Sequence, residues 1–394
     1  MSPRERRLLL ALVGSLTFAS VYAGFVMAPV LTQIAGEFAI STGTAGLVTA
    51  AYGGPGILTS LLMGPYSDRF GRRVFLVAGA FVMGVFTLLS AFATSFEMLI
   101  AMRAIAGIGG SVIFPNANAL IGDSFEYRER GRAMSTVIAF NTMASVVGIP
   151  LAGVVAEATS WRLSVGFVGV LAMLAGLALW WFLKPAEGNG SAQRISQLYR
   201  SILTNSSAVA AIISSFLGSL YWFTWITYLV VFFQHTFALS QGTASTYSLT
   251  MGLGVLVGSQ IGGRIGDRIG HRRVVAITIV ISGALLLALT NLPLPLLVAA
   301  SLNLALSAVI GARFATNTSL LSEQVPQARG TLLALSSATI AFAIVVGATL
   351  GGFFVDTLGF GAIGVFCMGA AILSCVIVLA FVHEDPIDLE IASV

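Results

Sequence analysis

The stretch Gly64-Pro65-Tyr66-Ser67-Asp68-Arg69-Phe70-Gly71-Arg72-Arg73 returns later as Gly263-Arg264-Ile265-Gly266-Asp267-Arg268-Ile269-Gly270-His271-Arg272-Arg273. The offset is 199, from Gly64 to Gly263, and it holds without a gap wherever the echo continues. Phe38, Ser41, Gly43, Thr44 and Ala45 fall on Phe237, Ser240, Gly242, Thr243 and Ala244, and Tyr22 falls on Tyr221. Arg130 and Gly131 fall on Arg329 and Gly330, while Gly148, Leu151 and Gly153 fall on Gly347, Leu350 and Gly352. A constant offset over so much of a chain marks a duplicated helical array, because chance supplies single matches and not a series.

The copies lie between apolar runs of membrane length. These fall near 8–35, 43–66, 74–94, 97–122, 133–157 and 163–183, then near 207–234, 243–265, 274–292, 295–321, 331–355 and 360–382. Each holds the roughly 20 apolar residues that one bilayer crossing needs. Composition agrees: 57% of the 394 residues are hydrophobic and 9% are charged, against about a quarter charged in a soluble domain. The expected fold is therefore an all-α membrane protein of twelve transmembrane helices in two pseudo-symmetric six-helix bundles. The polar stretch 184–206, with Gly188, Asn189, Gly190 and Ser191, is the expected cytoplasmic linker between bundles 1–183 and 207–394.

Charge sets the orientation. Arg4, Arg6 and Arg7 precede the first run, and alternate loops hold Arg69, Arg72 and Arg73, then Arg128, Arg130 and Arg132, then Lys184, Arg194 and Arg200. Arg264, Arg268, Arg272 and Arg273 follow, and then Arg329, whereas the opposite loops hold only Arg162. The positive-inside rule predicts both termini in the cytoplasm. The net charge of +4 thus reflects membrane-edge arginines and not a nucleic-acid surface. Cys367 and Cys375 share one apolar run and cannot pair.

The repeated Gly-x-x-x-Asp-Arg-x-Gly-x-Arg loop resembles the signature of the major facilitator superfamily, and the twelve-run, two-half plan extends the resemblance to the whole chain. The resemblance implies alternating access, with the two halves rocking about a central site. It places Asp68 near the start of the eleventh helix at Gly330 and Asp267 near the start of the fifth at Gly131, with Arg72 on Asp123. With Gly64 and Arg268 these residues form the expected cytoplasmic latch; a carboxylate at a helix N-terminus is favoured there by the unpaired N–H groups. Arg103-Ala104-Ile105-Ala106-Gly107 in the fourth run resembles the arginine motif of proton-coupled members, and Gly148-Ile149-Pro150-Leu151-Ala152-Gly153 is an imperfect copy of the Gly-Pro motif of drug antiporters, with Ile149 between Gly and Pro.

From the resemblance, the cavity-side candidates for substrate binding are Tyr22, Asn116, Asn141, Tyr221, Trp225, Asn303, Arg313 and Asn317. Proton coupling is assigned to Arg103 with the edge carboxylates Glu37 and Asp123, because none of the sixteen acidic residues occupies mid-membrane depth. That absence, together with Arg313 well inside the tenth run, points to neutral or anionic amphipathic substrates over lipophilic cations. The expected partners are a small-molecule substrate, protons and the lipid bilayer, for a monomer in the cell membrane that needs no cofactor and binds no nucleic acid. Proton-coupled efflux leads over an uptake symporter for a small anion or sugar, and over a non-transporting membrane sensor. An enzyme is not expected: three histidines near helix ends assemble no nucleophile, base and orienting acid. Gly252, Gly254 and Gly258, like Gly107, Gly109 and Gly110, lie in apolar runs without a preceding strand and predict helix packing, not a dinucleotide loop.

Overall fold

The structure, a computed structural model, describes residues 3–183, 200–325 and 329–384, without the side chains of 3, 60–66, 68, 69, 127, 128, 329 and 330. Ten of its helical stretches are long and apolar enough to cross a membrane, and the glycine-richer helices Leu47–Phe70 and Ser248–Ile269 complete twelve spans among the described residues. The chain is a multi-pass membrane protein. In the first half the spans are Pro3–Phe25 with Leu31–Glu37, Leu47–Phe70, Arg72–Ser90, Phe96–Ser124, Tyr127–Met143 with Ile149–Ala158, and Trp161–Phe182. In the second they are Ser206–Phe237, Ser248–Ile269, His271–Asn291, Leu296–Gln324, Arg329–Thr357 and Phe360–Phe381. The expected linker residues 184–199 lie outside the described residues, while Ile202 packs with Ala208, Val325 and Leu332 of the second half.

The duplicated motif is less of a loop than its composition suggests. The second and eighth spans stay helical to Phe70 and Ile269, and the whole reversal falls on Gly71 and Gly270, at φ 87° and 95°. A side chain is strained in that region, which is why glycine recurs there. The next helix begins at once, with Arg72 and His271. The edge carrying these turns is called the motif face below, and its counterpart the far face.

On the far face the repeat writes the same local structure twice. Ala39 and Ala238 both turn left-handed at φ 52°, and a serine then caps a short helix in each half. Ser41 accepts from Thr44 N–H at 3.0 Å, and Ser240 accepts from Thr243 N–H at 3.3 Å. Serine suits this position because its oxygen satisfies an N–H that no helical carbonyl can reach.

Two spans are bent where proline denies the helix a donor. The first is interrupted before Pro29, and the fifth carries a π turn over Ala144–Gly148 just ahead of Pro150. The seventh span is the most enclosed: every residue from Gly218 to Phe233 is buried. Its far-face portion is sealed on all sides, with Phe223 stacked on Phe25 of the first span at 6.4 Å between ring centres. Close helix contact depends on small residues, as expected of helices that pack without a hydrophobic drive in lipid. A Cβ at Gly258 would stand 1.8 Å from the carbonyl oxygen of Ala308, and one at Gly107 would stand 2.0 Å from that of Tyr52.

Candidate functional site

On the motif face, Arg72 Nε lies 3.5 Å from Asp123, and its Nη1 donates to Ser67 Oγ at 2.6 Å. The neighbouring arginines do something the sequence did not signal. Arg73 donates to the carbonyl of Trp180, and Arg272 to those of Val378, at 3.2 Å, and Leu379. Trp180 and Leu379 end the sixth and twelfth spans and are related by the same offset, so each arginine caps the last turn of its own bundle. A cation is favoured there by the free carbonyls of the helix terminus.

In this arrangement the expected latch partner of Asp267 is not beside it. Asp267 pairs with His271, one turn on, at 3.3 Å, and nothing lies within 4 Å of a Cβ placed on Gly131. The Asp267 carboxylate is largely exposed, with its one ion-pair partner among the described residues in its own half; Arg268 is exposed. The His271 imidazole lies between Asp267, Glu323 at 3.0 Å and Glu384 at 3.6 Å. The matching contact between Asp68 and Gly330 falls outside the described residues, as does the environment of Gly64. His271, Glu323 and Glu384 are close enough to share a metal ion. Glu384, however, already accepts from the backbone N–H groups of His271 and Arg272, at 2.5 and 3.0 Å, and so caps the start of the ninth span.

In the interior two arginines are fully enclosed. Arg103 donates to the Ala23 carbonyl at 2.8 Å with its guanidinium 4.3 Å from the centre of the Tyr52 ring, and its Nε and Nη1 have no hydrogen-bond partner. Arg313 donates to the Gly218 carbonyl at 3.0 Å, between the rings of Phe314 (4.7 Å) and Tyr221 (5.6 Å), and its Nε is likewise unpartnered. Neither meets a carboxylate among the described residues. Carbonyl bonds and ring faces are the available compensation for a buried cation.

The other cavity candidates are closed into contacts between helices. Tyr221 shares a hydrogen bond with Ser282 (2.7 Å), Trp225 Nε1 donates to Asn303 (3.0 Å), and Asn303 donates to Thr250 (2.8 Å). Asn317 donates to Ser215 at 2.9 Å, and Asn116 to its own helix at Val112. Tyr22 is buried edge-on against Phe18, beside the π turn, where a Cβ on Gly148 would come within 2.9 Å of its ring. Asn141 is half-buried with its Oδ1 unpartnered. Glu37 accepts from Trp161 Nε1 at 2.6 Å and from Arg162, an ion pair at the far face within the first half. The structure therefore does not bring Glu37 and Asp123 together: they serve opposite faces.

Sequence reasoning passed over one pair. Asp356, at the end of the eleventh span, accepts from Ser41 Oγ (2.5 Å) and Gly43 N–H (2.9 Å). Glu157, at the end of the fifth, accepts from Ser240 Oγ (3.1 Å) and Gly242 N–H. Each carboxylate crosses from one half to the other. The signal was available, since the offset of 199 carries position 157 to 356 and both residues are acidic.

Twelve spans in two repeated halves, joined at one face around buried polar groups, define a polytopic membrane carrier able to present its interior to either side in turn. The chain belongs to the Major Facilitator Superfamily, whose sequence profile matches residues 13–261 and 239–392. The uncharacterized MFS-type transporter YceJ of Bacillus subtilis (strain 168) is 26% identical over 89% of this chain and 90% of that protein. Multidrug resistance protein 1 of the same organism is 29% identical over 47% of each chain. Against four relatives, the latter included, the match spans 38% to 57% of their length, less than two thirds. A bacterial homologue of the human lysosomal transporter Spinster, solved inward-facing and occupied, shares the fold with a TM-score of 0.76 at 17% identity, over 96% of this chain and 95% of that one.

Proposed function

We propose that this transporter exports neutral or anionic amphipathic solutes in exchange for protons, as a monomer in the cell membrane with both termini in the cytoplasm. The observation that carries the substrate class is the pair of buried guanidinium groups, Arg103 and Arg313, with no carboxylate beside them among the described residues. They leave the interior with a positive potential that repels lipophilic cations, and each keeps an unspent donor for an oxygen-rich ligand. The arginine bias of the motif face supports its assignment to the cytoplasm. Export is supported by the Gly148–Gly153 stretch with its π turn, and by the likeness of part of the chain to a multidrug resistance protein.

In this reading Tyr221, Trp225, Asn303, Arg313 and Asn317, now bonded between helices, exchange those bonds for the solute as the halves rock, and Tyr22, Asn116 and Asn141 line its path. Glu37 and Asp123, one at each face, carry the proton in concert with Arg103. The 1–183 and 207–394 bundles are the rocking units and 184–206 their tether. Nothing in the cycle requires a cofactor or covalent chemistry on the cargo.

Proteoliposomes test the reading. Efflux of an anionic amphipathic dye should rise with an imposed proton gradient and collapse with a protonophore, and a quaternary ammonium dye should compete poorly. Flux that persists without a proton gradient and follows sodium, or tightest binding of the quaternary dye, overturns the coupling or the substrate class respectively.

A further inference from the structure

The far face is joined by two copies of one device, and the device links the halves. Asp356 of the second half receives Ser41 Oγ and Gly43 N–H of the first; Glu157 of the first half receives Ser240 Oγ and Gly242 N–H of the second. In both, the carboxylate meets the serine that caps a helical turn and the N–H two residues on, so a full negative charge sits on unpaired backbone donors. Both sites also need glycine. A Cβ at Gly43 would lie 2.2 Å from the carbonyl oxygen of Gly352 and 2.3 Å from Asp356 Oδ2, and one at Gly242 would lie 2.4 Å from Glu157 Oε2.

We propose that Glu157 and Asp356 form a two-point clamp that holds the far face shut, each carboxylate gripping the capped helix start of the opposite half, and that neutralising them releases this face to open. The proposal rests on the alternating-access reading and adds to it the element that biases one of the two states. Rocking the halves apart at this face must break both grips, because each spans the interface. The contacts behind them open in the same motion: Tyr228 Oη, which also bonds Ala348 of its own half, reaches the Gly43 carbonyl across the interface (3.3 Å), and Thr32 donates to Gln234 at 3.3 Å. The expected latch of the motif face, by contrast, leaves Asp267 bound inside its own half. The clamp therefore acts at the far face.

The test reads gate opening without substrate. In full-length protein with Cys367 and Cys375 changed to Ala, the buried Ala45 and Ser245 are changed singly to Cys behind the two grips, and reaction with a membrane-impermeant maleimide is timed in right-side-out vesicles. Asp356→Asn should speed labelling at position 45, and Glu157→Gln at position 245, by about 2- to 5-fold each, the range for one exposed charge at a helix terminus. The double variant should multiply the two factors, and Glu97→Gln, an exposed carboxylate on the same face, should change neither rate. Ser41→Ala and Ser240→Ala remove one bond and spare the charge; they should give smaller increases and stand in if the double variant misfolds in detergent. A folded double variant, or folded serine variants, labelled at the parental rate would overturn the clamp. Failure of the transport reading shows differently, as absent flux in a protein whose labelling still responds to the substitutions.

Discussion

The two halves make the same joint with each other but differ in what they do within themselves. At the far face the first half closes on itself through Glu37, which takes Trp161 Nε1 and Arg162. The repeat places Phe360 and Gly361 at the equivalent positions, and there the second half packs His235 against the Phe360 ring, 6.5 Å between centres. The middle of the second half shows the reverse. Trp225, Asn303 and Thr250 form a buried polar chain, and the offset puts Val26 and Ala104 in the places of Trp225 and Asn303. The carboxylate grips that cross the interface have kept their chemistry in both copies, as have the arginine caps on the sixth and twelfth spans, whereas these two polar clusters inside the bundles have diverged.

The comparison breaks most readily at the shared joint. Gly43→Ala with Gly242→Ala should destabilise the far-face-closed state by about 2–6 kcal/mol, as two separate overpacked contacts of roughly 1–3 kcal/mol each. Gly36→Ala, at a position with nothing within 4 Å, should be silent. Cysteine labelling behind the joint measures both. Equal effects at Gly36 and Gly43 would dissolve the distinction between interface and surface.

A smaller loss is expected from the polar chain particular to the second half. Thr250→Val leaves the Asn303 amide without its acceptor and should cost about 1–3 kcal/mol, the penalty for a buried unsatisfied group. Val26 and Ala104 offer no such group, so Val26→Ala should show only the loss of methyl burial. Thermal unfolding in detergent separates the two; a neutral Thr250→Val would mean that the chain is decoration.

The ion pair particular to the first half should matter least to stability. Arg162 and Glu37 are 30% and 40% exposed, so Arg162→Leu should cost about 0.2–1 kcal/mol, and less at high salt. It should leave labelling behind the joint unchanged, because the pair lies within one bundle. A gate that opens in Arg162→Leu would join Glu37 to the clamp. At the small end of the scale stands Arg313→Met: replacing a buried charge by an apolar chain of similar length is often neutral. Its unfolding temperature should hold while affinity for an anionic amphipathic ligand falls; unchanged affinity would reduce Arg313 to a tie between the seventh and tenth spans.

The number of spans, the repeat of one half in the other, the arginine-rich face and the duplicated motif were legible in the amino acids alone, whereas the reversal at Gly71 and Gly270 came with the fold. These follow from local physics: apolar length against bilayer thickness, φ angles open only to glycine, and a duplication that writes each half in the same terms. The sequence also placed arginines inside spans, but not what meets them. The carbonyls of Ala23 and Gly218 are backbone groups, present at every residue and invisible to composition. Which face is closed was decided only by the tertiary structure. Both halves carry docking elements at both faces, and the choice depends on how the two bundles tilt against each other. The motif drew attention to Asp267, which the fold gave to His271. The joint went instead to Glu157 and Asp356, two acids at span ends whose partners lie 85 and 313 residues away for the Gly242 and Gly43 N–H groups. A local pattern specifies the parts of such a joint, and only the packing of one half on the other brings them together.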